Sequence, residues 1–447
     1  MVRGILVTMS GLLNLRCKLF LFLLLAVAGV QQASGQTDVE AFDGSFRLST
    51  GEVLTGGYFV EGGVGRLLYM DTERLDRVGL FEGIGDSVLR SVVPDRSVEI
   101  EFIPDPNGTS KTLVWREEGH APIRGERIHP HRSREVHFRS ADGTELHGRL
   151  LIPECKGPHP VVVSVHGSGP VNRYGGPYHT YFLEQGVAVL AYDKRGYTTD
   201  REAWREPDLA TLSADAAAAV RFAAAQADLD GDRIGIVGSS QAGWVVPRAA
   251  VEAPETDFII LRAGAAVSEL ETHLHEIRQE LRLEGLDGLD LDYAMDLRRE
   301  FYALTMSGKP ISATDALVAP YLDEPWYRTA FGEGPVSRRW SAHRWDWERR
   351  NLAVEPTPYI EQFEGPVLWF LAELDENVPL VPTRAALERA FLAAPGDDHE
   401  IVVLQGALHS FLIPIPDGPP RFSEGFFDRM GAWMRDRGFS ESTCWNR

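Results

Sequence analysis

A serine that attacks a carbonyl needs a base to take its proton, an acid to hold that base, and N–H donors to receive the oxyanion. Residues suited to each task recur along this chain in one order. Ser240 lies within Gly238-Ser239-Ser240-Gln241-Ala242, after the apolar run Ile234-Gly235-Ile236-Val237 and before an amphipathic stretch. A strand, a sharp turn and a helix are expected there, with the serine at the apex in strained backbone geometry. Such a turn needs small residues two before and two after the nucleophile. Gly238 and Ala242 meet that need for Ser240, whereas centring on Ser239 would put Val237 and Gln241 in those slots.

Two later segments supply partners. Pro366-Val367-Leu368-Trp369-Phe370-Leu371 reads as a buried strand, and Asp375 follows it, four residues before Pro379. An acid just past a strand's C-terminal end is well placed to orient a base, and Glu373 and Glu376 are fallbacks. Ile401-Val402-Val403-Leu404 reads as a last strand, leading to His409, the expected general base. The oxyanion donors are expected to be the Gln241 amide and an amide in the loop after Val161–Val165. That loop reads His166-Gly167-Ser168-Gly169-Pro170, with Ser168 preferred, Gly167 second and His166 shaping the turn. Singly each residue is ordinary. In order, each after its own strand, they point to acyl transfer through an acyl-enzyme.

The elements that must position these residues fall into three parts, the first of them preceded by a leader. Arg3, Arg16 and Lys18 precede the apolar run Leu19 to Val30, and Gln31-Gln32-Ala33-Ser34-Gly35 supplies small residues for cleavage. Residues 1–35 therefore read as a secretory signal peptide, with a secreted or periplasmic product. The apolar run is short for a bilayer span, so no stable membrane anchor is expected. Residues 36–128 read as a small all-β module, a meander or barrel. Its strands are expected near 42–48, 51–54, 58–60, 66–70, 98–102 and 112–115, and its plainest role is packing against the rest of the chain. The basic stretch Arg124 to Arg134 reads as a linker, with His129 and His131 exposed and not metal ligands. Residues 129–447 carry the α/β part and its insertion. A hairpin at 136–153 opens it, followed by strands at 161–165, 187–192, 233–237 and 257–261 and helices at 209–227 and 241–252. Such alternation means a mostly parallel α/β sheet. Between Leu261 and Pro366 helical patterns at 268–283 and 289–304 and a stretch with Trp326, Trp340, Trp345 and Trp347 read as an inserted helical cap, about 265–356. His273 and His275 are two apart and would diverge on a helix.

Composition narrows the partners. The chain has 447 residues, 44% hydrophobic, and a formal charge of −20. That acidity argues against nucleic acid and anionic membrane surfaces as partners, and it leaves the oligomeric state open. Cys155 and Cys444 are consistent with one disulfide or two thiols. They are too few and too far apart for a metal site, and no cofactor is expected. Asn107-Gly108-Thr109 is a glycosylation sequon.

From Val136 onward the chain resembles secreted and periplasmic α/β-hydrolases related to dienelactone hydrolases and the prolyl-oligopeptidase catalytic domain. The matching pieces are Ser140-Ala141-Asp142-Gly143-Thr144-Glu145-Leu146, His166-Gly167-Ser168-Gly169-Pro170, Tyr192-Asp193-Lys194-Arg195-Gly196, the elbow at Ser240, the cap, and the Asp375 and His409 segments. It departs at Ser239, where the family often has His, at Ala242, where it often has Gly, and at Tyr197-Thr198-Thr199, where it often continues x-G-x-S. The resemblance implies an α/β-hydrolase fold and hydrolysis of carboxylic esters, with some members acting on peptides or amides. Asp193 and Arg195 are expected to pair near the site. The expected function is a serine hydrolase for a small to medium ester. The alternatives are a prolyl-oligopeptidase-like peptidase or amidase, an acyltransferase, and a catalytically inactive binding protein. Residues 36–128 are too short for the propeller such peptidases usually carry.

Overall fold

A computed structural model describes residues 43–445 except 62–63, 72–77, 84–86, 93–96, 105–109, 198–202, 416–419 and 442–443. The leader at 1–35 and the sequon at Asn107 lie outside the described residues.

The first eight strands close into an antiparallel barrel: β1 (Gly44–Leu48), β2 (Val53–Glu61), β3 (Val64–Asp71), β4 (Val78–Gly83), β5 (Val88–Ser91), β6 (Val98–Pro104), β7 (Ser110–Glu117) and β8 (Ile123–Ile128). Closure removes the free strand edges that an open meander would leave. Phe46, Leu54, Phe81, Ile100, Phe102, Leu113 and Trp115 fill the interior. The two short strands expected at 51–54 and 58–60 are one, running through Gly56-Gly57. A Cβ on Gly57 would lie 2.1 Å from the Gly176 carbonyl carbon, so this glycine is required for docking on the α/β part.

The basic linker expected at 124–134 does not exist. Arg124 to Arg127 lie in β8, and β9 (His131–Arg139) starts three residues after β8 ends. His129 and His131 are half-buried, and burial pulls their imidazoles down to about 4 and about 3. His129 packs on Trp445, with ring centroids 4.9 Å apart.

β9 pairs with β10 (Glu145–Pro153) as a hairpin and β10 runs antiparallel to β12 (Ala188–Tyr192). β11 (His159–Val165), β12, β13 (Leu229–Ser239), β14 (Phe258–Arg262), β15 (Val367–Ala372) and β16 (His399–Leu404) are parallel, in the order β16-β15-β14-β13-β11-β12-β10-β9. Successive side chains of these strands face opposite sides, and both sides are buried. Val161, Val163, Ile234 and Ile236 join one core, and Val162, Val189, Val237 and Ile260 the other. Helices α1 (Pro177–Glu184), α2 (Leu209–Ala224) and α3 (Ala242–Glu252) follow β11, β12 and β13. The insertion between β14 and β15 holds α4 (Glu269–Leu283), α5 (Gly288–Met306), α6 (Ser312–Val318), α7 (Tyr327–Phe331), α8 (Ala342–Asn351) and α9 (Thr357–Ile360), and α10 (Leu380–Ala393) and α11 (Phe426–Asp436) complete the chain. Leu270, Leu274, Ile277 and Leu281 recur along one face of α4 and pack into the insertion's own core with Trp326, Trp340 and Trp345. Trp347 instead joins the main core.

The barrel sits on α1. Thr180 Oγ1 donates to the Gly56 carbonyl at 2.8 Å, Gly176 N–H to the Tyr58 carbonyl at 3.0 Å, and Ser45 Oγ to Glu184 at 2.5 Å. Arg149 on β10 donates to Asp43 at 2.9 Å, with both residues buried. Cys155 and Cys444 form a disulfide that ties β10's exit to the C-terminus.

Candidate active site

All parallel strands point their C-terminal ends to one edge, where open α/β sheets place their ligands. β13 ends at Ser239, α3 starts at Ala242, and Ser240 between them has φ 55°. A serine in the left-handed region costs energy that only a tightly packed turn maintains. Its N–H donates to the Arg262 carbonyl at 3.0 Å, which fixes the turn to the end of β14. The small-residue rule has a direct cause: a Cβ on Gly238 would lie 2.4 Å from Ala242 Cβ. Gly243 is equally constrained, because its Cβ would meet the Ala265 carbonyl at 2.6 Å.

Asp375 follows β15 and His409 follows β16. His409 Nδ1 lies 2.9 and 3.0 Å from the two Asp375 carboxylate oxygens. Asp375 Oδ1 also accepts the amides of Asn377 at 2.9 Å and Val378 at 2.7 Å, which fix the carboxylate's direction. The two fallback acids do something else. Glu376 accepts the backbone N–H of His409 at 3.0 Å, and Glu373 accepts that of Gly406 at 2.8 Å. Both therefore shape the loop that carries the imidazole. Burial acts to lower the His409 pKa, but the hydrogen bond and charge of Asp375, with Glu376 and Glu276, outweigh it, and the net shift is upward.

The loop after β11 runs against the elbow. A Cβ on Gly167 would lie 3.5 Å from the Ser239 carbonyl and 3.7 Å from Ser240 Cβ. Gly169 has φ 101°, a turn that favours glycine. His166 shapes this loop by bonding the Tyr192 carbonyl through Nε2. Among the described residues the amides of Ser168 and Gln241 make no hydrogen bond within the chain. The Gln241 amide also stands at the positive end of α3.

Asp193 and Arg195 do not pair. Asp193 accepts from Arg173 at 2.5 Å, while Arg195 binds Asp215 and Asp142, each at 2.5 Å. Two positions apart in sequence, they are turned to different neighbours and clamp different segments. Sequence reasoning also missed the contacts of α4. His275 Nε2 lies 3.0 Å from the Asp375 carbonyl oxygen, and Glu276 acts on His409. His273 diverges from His275, as expected, and sits between Glu269 at 3.8 Å and Glu348 at 3.4 Å. No motif marks His275 and Glu276, because their partners lie about a hundred positions away.

The charge of Glu276 bears on the pH dependence of the reaction. Only neutral His409 can act as a base, so the acid limb of kcat/KM should follow its raised pKa and lie above the ordinary histidine value. Glu276→Gln removes one charge that favours the imidazolium, so the limb should move to lower pH, measurable in a pH–rate profile.

Among the described residues two groups could gather donor atoms around a metal ion. Cys155, His159 and Cys444 have both sulfurs in the disulfide. His137, Glu145 and His147 are exposed on the β9–β10 hairpin, three and four strands from β13. A cavity of about 400 Å³ opens between α2, α3 and the end of the insertion, lined by Asp208, Trp244, Arg248, Arg350 and Tyr359; none of Ser240, Asp375 and His409 borders it.

The profile of the serine aminopeptidase S33 family matches residues 156–413. A thiohydrolase, aneE, of Aspergillus aculeatus is 34% identical over 111 residues, covering 24% of this chain and 34% of that protein. The chain thus spans about a third of that curated relative's length. Among solved structures, the esterase Pf2001 of Pyrococcus furiosus is similar with a TM-score of 0.44 at 16% identity, covering 68% of this chain and 91% of that one. The acetyl xylan esterase 1 of Thermoanaerobacterium sp. JW/SL YS485 has a TM-score of 0.41 at 15% identity, covering 75% and 87%. A puromycin-hydrolyzing peptidase of Mycobacterium tuberculosis has 0.42 at 18%, covering 82% and 52%.

Proposed function

The chain belongs to the serine aminopeptidase S33 family, and we propose on that premise that it hydrolyses small to medium carboxylic esters through an acyl-enzyme. Ser240 is the nucleophile, His409 the base and Asp375 the orienting acid. The observation that carries the proposal is the His409–Asp375 pair on the same sheet edge as a serine held at φ 55°. His409 Nε2, the nitrogen left free by Asp375, takes the Ser240 proton as Oγ attacks the ester carbonyl. The oxyanion is received by the amides of Ser168 and Gln241, each worth roughly 3 kcal/mol of barrier. The imidazolium returns its proton to the leaving alkoxide, and water then repeats the sequence on the acyl-enzyme. Residues 1–35 direct export and are removed, so the enzyme is secreted or periplasmic.

A peptidase acting on a free α-amine would need an unengaged carboxylate above the site. The insertion offers two buried carboxylates, Glu269 and Glu348, but both flank His273. Burial acts against the His273 cation, but Tyr302, Glu348 and Glu269 favour it, and its pKa is raised well above the ordinary value. His273 and Arg344, which lies 3.7 Å from Glu348, together engage both carboxylates; Glu276, whose charge acts on His409, is the carboxylate of the insertion that would serve a peptidase. A panel of p-nitrophenyl acetate, butyrate and decanoate beside aminoacyl and Gly-Pro anilides separates the two readings. Ester turnover that disappears in Ser240→Ala, without anilide turnover, is expected. Turnover of anilides alone would overturn the ester reading in favour of a peptidase, and no turnover of either would favour a binding protein.

A further inference from the structure

We infer that Lys194 is a positioning residue that couples the two halves of the oxyanion hole and lends them its positive charge, a role that rests on the hydrolase reading above. Lys194 stands two residues past β12 and is 2% exposed. Its Nζ donates to the Gly167 carbonyl at 2.9 Å and to Gln241 Oε1 at 2.6 Å. Those are not arbitrary acceptors. The Gly167 carbonyl belongs to the peptide unit whose N–H is that of Ser168. In a trans peptide C=O and N–H point opposite ways. Holding the carbonyl therefore sets the direction of the Ser168 N–H. The Gln241 side chain belongs to the residue that gives the other amide. One ammonium thus ties the β11 loop to the nucleophile turn.

The rest of its surroundings fit the same role. The Lys194 N–H donates to the Val171 carbonyl at 3.0 Å, and Asp193 accepts the Arg173 amide at 2.9 Å, so residues 193 and 194 hold the same loop further along. The indole of Trp204 lies 4.9 Å from Nζ and receives the third face of the ammonium. Among the described residues Lys194 forms no salt bridge. A buried cation without a bonded counter-charge is costly. The tetrahedral oxyanion, formed just beyond the Gly167–Ser168 peptide and the Gln241 amide, would be that counter-charge. It is present in the transition state and absent from the ground state, which is where charge stabilisation raises kcat.

Three ionisable neighbours face the ammonium: His166 at the loop, Arg205 beside Trp204, and Glu269 on α4, itself linked to His273 and Glu348. Burial pulls Lys194 down to about 7, Arg205 acts the same way and Glu269 opposes them. The charged form therefore prevails below that pH and is lost above it. The kcat profile should carry an alkaline limb from Lys194 in addition to the acid limb from His409.

The test compares wild type, Lys194→Met and Lys194→Ala on p-nitrophenyl butyrate, with Ser240→Ala as the control that the hydrolase reading itself holds. In Lys194→Met, kcat should fall about 100-fold, KM should change less than about threefold, and fluorophosphonate labelling should slow in parallel. The alkaline limb should vanish. In Glu269→Gln it should persist at lower pH, because the one carboxylate that supports the ammonium is gone. Propylammonium, but not butanol, should restore kcat of Lys194→Ala at least tenfold. A merely structural lysine would not produce cation-specific rescue or remove a pH limb. The inference is overturned if kcat of Lys194→Met stays within threefold of an active, Ser240-dependent wild type, if the loss lies in KM alone, or if the alkaline limb persists. Should both lysine variants fail to fold, Gln241→Met decides. It removes one of the two acceptors, so kcat should drop about tenfold at unchanged KM, and an unchanged kcat overturns the inference.

Discussion

Asp375→Asn is expected to lower kcat by about 10⁴-fold while leaving the protein folded. The carboxylate does two things for His409. It accepts from Nδ1, so that Nε2 presents its lone pair toward the serine, and it stabilises the imidazolium that forms when the serine proton moves. An asparagine keeps the shape and one acceptor oxygen. It also carries an NH₂ group that favours an Nδ1 lone pair, which turns the imidazole to the wrong tautomer. The backbone contacts to Asn377 and Val378 need only one oxygen, Oδ1, and can survive the change. The loss should therefore appear in kcat with little change in the denaturation midpoint. Glu376→Gln is the matched control. Glu376 accepts the His409 amide and not its ring, so its kcat should change far less. A kcat for Asp375→Asn within tenfold of wild type would remove Asp375 from the role proposed for it.

Arg149→Met is expected to have the largest effect on stability, about 3–5 kcal/mol, read as a shift of the urea midpoint. Asp43 and Arg149 are 6% and 2% exposed and join the start of the barrel to β10. Asp43 also accepts the Tyr58 amide at 2.6 Å, and the Tyr58 carbonyl accepts from Gly176 at the start of α1. Burial raises the Asp43 pKa, so removing Arg149 strands a carboxylate already held out of water. Asp43→Asn with Arg149→Met should recover part of the loss, because the stranded charge is gone. If the single variant costs less than about 1 kcal/mol, the barrel is not anchored through this pair.

The parallel sheet was legible because its strands are short apolar runs between helical patterns. The elbow was legible because the physical constraint that Gly238 and Ala242 satisfy is local. The barrel was read less well for equally concrete reasons. β8 carries Arg124, Glu126 and Arg127, and one of its inward positions is Gly125, whose Cβ would lie 2.9 Å from Leu48 and 3.1 Å from Leu113. A strand whose inward residue must be glycine loses the alternation that marks strands. It therefore read as a basic linker. β4 and β5 went unrecognised in a stretch with several glycines and few alternating pairs. The pairing of Asp193 with Arg173, and of Arg195 with Asp215 and Asp142, could not be read from neighbours in sequence, since tertiary contacts decided it. The same holds for Lys194. Its one sequence signal was position, just past the C-terminal end of a parallel strand, where a charged residue faces the site edge.

Covalent trapping identifies the nucleophilic serine. The protein is incubated with a fluorophosphonate, digested, and the modified serine located by mass spectrometry. A single adduct on Ser240 is expected, stoichiometric in wild type, absent from Ser240→Ala, and formed far more slowly in His409→Gln. An adduct on Ser239, or none on a folded protein, would contradict the role of Ser240.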